Sequence, residues 1–163
     1  MPDYDIAGRD GTLLFELAPV SKVPYGVFYF LEMINDWDKG AFHRMGGHVL
    51  QAMASVKSAE GYKSLAYQEY SADFPHVKGT LGYAGRPGGP GFYISLIDNT
   101  HNHGPGSQQA GTTEADTCFG RIVGKESWVV IERMKNQPGA APGAGWVSPA
   151  SNYITIESVM VHS

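Results

Sequence analysis

Ala41-Phe42-His43-Arg44-Met45 and His48-Val49-Leu50-Gln51-Ala52-Met53 are two short apolar-rich runs parted only by Gly46-Gly47. Runs of this length, bounded by glycine, read as strands joined by a turn. Working outward, the same pattern recurs at Thr80 to Ala84, Phe92 to Ile97 and Cys118 to Val123, with glycine-rich or polar turns between. Before the quoted stretch, Thr12 to Leu17 reads as a strand opened by Asp10-Gly11 and closed by Ala18-Pro19. At the far end, Tyr153 to Val161 reads as a last strand, with Ile154, Ile156 and Val159 in partial alternation.

Two segments follow a different period. Val27, Phe30, Leu31 and Ile34 recur at helical spacing behind Pro24, which suits a first helical turn, and Gly40 follows the end. The spacing predicts a helix near 24–36. A second is expected over Lys125 to Met134, where Trp128, Val129, Ile131 and Met134 form the inner face and Glu132 and Arg133 point outward. Asn99 to Ala115 and Gln137 to Ala150 read as loops, the first with almost nothing to bury. Seven or eight short strands with two helices point to a mainly β antiparallel barrel or sandwich, not to alternating βαβ units.

The chain has 163 residues, of which 42% are hydrophobic and 17% charged, so one domain over 1–163 with a real core is expected. A formal net charge of −4 and the lack of a basic run disfavour nucleic acid as a partner. Apolar runs such as Val27 to Leu31 are far below the roughly 20 residues of a membrane helix, so direct membrane insertion is not expected. The N-terminus shows no signal peptide and no Asn-x-Ser/Thr acceptor is present, which leaves the compartment open. Cys118, the only cysteine, reads as a buried inert thiol.

Five pieces, in order, carry a resemblance: Gly11 to Pro19, Phe42-His43-Arg44, Gly79-Thr80-Leu81-Gly82-Tyr83-Ala84, Phe92-Tyr93-Ile94, and Cys118 to Val123 followed by Val129-Val130. Each alone is weak, but five in register cover nearly the whole chain, which resembles the cyclophilin-type peptidyl-prolyl cis-trans isomerases. The resemblance implies a closed eight-stranded antiparallel barrel capped by two helices.

It also implies a chemistry that requires no cofactor, metal or nucleophile. Rotation about an X-Pro amide meets a barrier of roughly 18–20 kcal/mol, set by partial C–N double-bond character. A catalyst has to seat the proline and stabilise the twisted amide, whose pyramidal nitrogen can accept a hydrogen bond. By its place in the motif, Arg44 matches the catalytic arginine. Gln51 matches the glutamine that orients it, given one deletion around Gly46-Gly47. Tyr93 falls on the proline-pocket aromatic and Ala84 on a small residue beside the substrate backbone. With Phe42, His43, Gly85, Phe92, Asp116 and Phe119, these residues make up the implied surface for a proline-containing peptide or protein.

The sequence also departs from the family. His48 or Val49 replaces an aromatic, Gly85 an asparagine, Gly91 a glutamine and Asp116 a histidine, and the loop Asn99 to Ala115 has no tryptophan. Weaker proline binding and weak or absent cyclosporin binding follow, and a peptide-binding module with little catalysis stands as the alternative. Arg86-Pro87-Gly88-Gly89-Pro90-Gly91 reads as a shaped turn bordering the groove, with Arg86 placed to contact a ligand. His101 and His103 have metal-ligand spacing, though solvated histidines are commoner in such a loop.

Overall fold

Alternate residues of a strand point to opposite faces, and here that period sorts aromatic and branched side chains onto one face of a single curled sheet. The computed structural model describes residues 11–34, 37, 40–54, 64–85, 88–107 and 113–162. Seven strands are present among them: β1 (Leu14–Leu17), β2 (Ala41–Met45), β3 (Val49–Met53), β4 (Thr80–Tyr83), β5 (Phe92–Ser95), β6 (Cys118–Val123) and β7 (Ile154–Thr155). Their order is β1-β6-β4-β5-β3-β2-β7, with every pairing antiparallel. The expectation was a closed barrel of eight; the described residues form a half-barrel of seven, with β1 and β7 at its two ends.

The last strand is shorter than its alternation suggested. After Thr155 the ladder stops, although Ile156 N–H still donates to Gly40 O at 2.7 Å. Ile156 and Val159 then pack against the core without a strand partner. Side-chain burial there continues the pattern where backbone pairing does not.

Helix α1 (Pro24–Glu32) buries Gly26, Val27 and Phe30, with Phe30 in the main core and Val27 in a smaller cluster with Ala18 and Val23. Its residue at the N-cap, Val23, has no side-chain acceptor for the first amides. Glu69 supplies it from across the chain, its carboxylate accepting from Tyr25 N–H at 3.1 Å and Gly26 N–H at 2.9 Å. An acidic group at a helix N-terminus also meets the positive end of the macrodipole. Glu69→Ala is expected to cost about 1–2 kcal/mol by leaving those amides unpaired, with Glu69→Gln milder. Urea titration of the three proteins checks it.

Helix α3 (Lys125–Met134) spans the expected residues and buries Ser127, Ile131 and Met134. Val129, grouped with the inner face by spacing, instead points outward. Between these helices and the sheet lies an aromatic core. Phe119 stacks on Tyr83 at 4.1 Å and on Phe30 at 5.1 Å, with Phe92 set edge-on at 6.2 Å. Tyr83, fully buried, satisfies its hydroxyl by donating to Gly26 O at 2.7 Å.

The loop 99–115 departs from its sequence reading. It opens with a helical turn, α2 (Thr100–His103), whose first amide donates to Asp98 Oδ1 at 2.9 Å. Asn99 is completely buried, its Nδ2 donating to His48 O at 2.9 Å. One polar side chain of an otherwise largely exposed segment is buried by pairing its polar atoms, which composition does not reveal. No helix among the described residues is long and apolar enough to cross a membrane.

Candidate functional site

Arg44 owes its orientation to a bulge. Phe42 pairs with Ala52 and Arg44 with Gln51, so His43 is an extra residue on β2. In an unbroken strand Phe42 and Arg44 would share a face. The inserted residue turns Arg44 away from the core face, where Phe42, Leu50 and Ala52 lie, and onto the outer face with Gln51. The outer face then carries one row across four strands, with Arg44 opposite Gln51, Gln51 opposite Tyr93, and Tyr93 opposite Gly82.

Three contacts hold the guanidinium. Its Nη1 donates to Gln51 Oε1 at 3.1 Å and its Nε to Ala144 O at 2.8 Å. The third is the indole of Trp146, whose ring centroid lies 4.9 Å from Cζ. Ala144 and Trp146 belong to the loop 137–150, which is zipped onto β2 by backbone bonds from Met45 N–H to Gly145 O at 2.7 Å and from Val147 N–H to His43 O at 2.9 Å. Gly145 makes that approach possible. Its φ is +76°, and a Cβ there would overlap the Met45 carbonyl and Gly46 N.

Tyr93 does not stand up from the sheet. Its ring lies across Gly82, where a Cβ would sit 2.5 Å from Cζ, and its hydroxyl donates to Asp116 Oδ2 at 2.7 Å. The ring is only 3% exposed, with the His103 imidazole 4.6 Å away centre to centre. His103 Nδ1 lies 2.9 Å from the same Asp116 oxygen, within ion-pair range when protonated but misaligned for a hydrogen bond. His48 stacks on His103 at 5.7 Å, and His76 Nε2 lies 2.8 Å from Asp116 O. A polar and imidazole cluster therefore occupies the space beside Tyr93.

The residues named from sequence fall into three groups. Arg44, Gln51, Tyr93 and Asp116 come together on the outer face. Phe42, Phe92 and Phe119 are in the core, packed beneath that face. Ala84 and Gly85 lie in the β4–β5 turn, where Ala84 N–H donates to Gly91 O at 2.9 Å. His43 sits apart from the row, buried against Trp146 and Tyr153 at 5.4 and 6.2 Å. Arg86 lies outside the described residues. Sequence reasoning missed Trp146, Ala144 and His76, and named His48 only as a departure from the family's aromatic. The one available signal for the first was a large aromatic stranded in a Gly-, Ala- and Pro-rich loop.

Burial shapes the titrating groups. The Cys118 thiol is pushed up to about 12, so it offers no thiolate nucleophile near neutral pH. His101 is exposed and His103 is turned to Asp116, and among the described residues no three potential ligands converge as a metal site. Desolvation holds the His43 imidazole below its usual range, with Arg44 adding to the effect against a backbone hydrogen bond at Ala41. His48 is lowered for the same first reason, then by His103 and Arg44. A histidine whose folded pKa is depressed binds more protons when unfolded. Its contribution to stability is therefore full above about pH 6.5 and is lost as pH falls from there toward the folded value. Thermal denaturation between pH 7.5 and 5.5 is expected to show this loss, with a smaller slope in His43→Gln.

No family model and no curated protein sequence matches the chain. Solved structures do match. A cyclophilin-type peptidyl-prolyl cis-trans isomerase of Cryptosporidium parvum, crystallised in the presence of the dipeptide Ala-Pro, is 17% identical with a TM-score of 0.65, covering 93% of this chain and 92% of that one. A second structure of that isomerase is 16% identical with a TM-score of 0.66, over 93% and 91%. Across more than nine-tenths of its length, then, this chain has the fold of the cyclophilin-type peptidyl-prolyl cis-trans isomerases.

Proposed function

We propose that the protein is a peptidyl-prolyl cis-trans isomerase acting on X-Pro bonds of extended peptide segments, with Arg44 as the transition-state donor. The observation that carries this is the clamped guanidinium. Two of its nitrogens and one face are engaged by Gln51, Ala144 and Trp146, while Nη2 has no protein partner among the described residues. A donor held in place before substrate arrives loses little freedom on use, and a guanidinium stays charged at any working pH. As the amide twists, its nitrogen loses conjugation and gains a lone pair to accept that hydrogen bond. Gln51 orients the donor, Tyr93 with Ala84 and Gly85 borders the proline, and Asp116 fixes Tyr93 through its hydroxyl. No cofactor enters the reaction.

The same reading takes the barrel to be closed by an eighth strand. It also has the protein binding neither nucleic acid nor the membrane interior, and cyclosporin weakly or not at all.

A second reading has its own observation. Tyr93 is 3% exposed and packed against His103, so the pocket floor is polar and covered. A site of that kind suits a module that holds proline peptides without accelerating their rotation. Two-dimensional NMR exchange on an Ala-Pro peptide with catalytic amounts of protein separates the two. Catalysed exchange establishes the isomerase; binding without exchange removes it and leaves the module.

A further inference from the structure

The exposed indole beside the guanidinium is not used by the reading above except as a clamp. Trp146 is 48% exposed although it contacts both Arg44 and His43, so one part of the ring is spent on the protein and the rest faces solvent. Its position is set by backbone, through the bridge to Arg44 and the bond from Ala141 N–H to Trp146 O at 2.9 Å. A tryptophan held this way pays little entropy to be used as a platform.

Distance then says what the platform would meet. The ring centre is 4.9 Å from the Arg44 guanidinium carbon. An extended peptide advances about 3.3 Å per residue. With the X-Pro amide at the guanidinium, a side chain one or two positions away is within reach of the indole. We infer that Trp146 is a specificity-determining residue, selecting substrates with an aromatic side chain one or two positions from the proline. The loop 137–150 thus supplies an aromatic wall beside the donor, while His103 lies beside Tyr93. Aromatic stacking favours such a segment over the alanine equivalent by about two- to tenfold in affinity. A cationic side chain at that position is disfavoured by the guanidinium next to it.

The inference rests on a proline-peptide site at Arg44, and its test keeps the two apart. The probes are Ala-Pro peptides in which one Phe replaces Ala at each of the two positions on either side of the pair. Binding is read by NMR titration, including the Trp146 indole N–H signal identified by its loss in Trp146→Phe; turnover is read separately by exchange. One placement of Phe is expected to bind about two- to tenfold tighter. That advantage should vanish in Trp146→Ala and survive in Trp146→Phe, with the amide spectrum reporting that both variants are folded. An advantage that persists in Trp146→Ala, or no favoured placement at all, overturns the inference even when exchange is catalysed. A favoured placement without exchange leaves the inference standing and removes the isomerase reading alone.

Discussion

Arg44→Ala is expected to lower catalysed X-Pro exchange by about 10²- to 10³-fold, the usual cost of deleting one preorganised transition-state donor. The fold should survive, because the guanidinium lies on the outer face and its partners are a side-chain amide, a loop carbonyl and an exposed ring. Arg44→Lys should recover little. A lysine ammonium keeps the charge but has no planar face for Trp146 and no fork to meet Gln51 and Ala144 while leaving a donor free. Exchange spectroscopy on an Ala-Pro peptide, run beside a thermal melt of each variant, measures both parts. An Arg44→Ala protein that is folded and as fast as the parent would remove Arg44 from the mechanism.

Phe119→Ala is expected to cost about 3–5 kcal/mol, the range for deleting a fully buried aromatic ring. Phe119 has no exposed surface and sits between Tyr83 and Phe30 with Phe92 across its edge, so three aromatic contacts are lost together. The cavity cannot collapse easily. Tyr83 is tethered by its hydroxyl to Gly26, and Phe92 is pinned in a strand paired on both sides. For a domain whose whole stability is typically 5–15 kcal/mol, that is a large share. Denaturant titration gives the value directly. A loss below about 1 kcal/mol would mean that the core relaxes around the deletion, contrary to the packing described.

Several elements could be read from the chain because their causes are local. Ala41–Met45, Cys118–Val123 and Lys125–Met134 have the boundaries read from the sequence. In each, glycine or polar residues stand at the ends and apolar residues lie between them. Where the cause was not local the reading slipped: Val129 kept the helical spacing yet faces out, and the last strand lost its partner after Thr155. Asn99 looked like a solvated loop residue and is buried, because its amide has a carbonyl to bond 51 residues away.

The candidate site divides along the same line. Phe42-His43-Arg44 and Gln51 were named through the family resemblance, and the short hairpin that pairs Arg44 with Gln51 joins near neighbours in sequence. Local sequence also placed Phe42, Phe92 and Phe119 in strands, and the tertiary structure packs all three into the core. Tertiary structure alone decided that Arg44 faces away from Phe42, because the bulge at His43 is a matter of register between two strands. It alone decided that Tyr93 lies flat over Gly82 to reach Asp116. The clamp on Arg44 was also its work, drawn from Ala144, 100 residues along the chain, and from Trp146 beside it. Such contacts depend on which backbone groups a loop can reach once the sheet is curled. A loop of Gly, Ala and Pro is compatible with many such answers until the fold selects one.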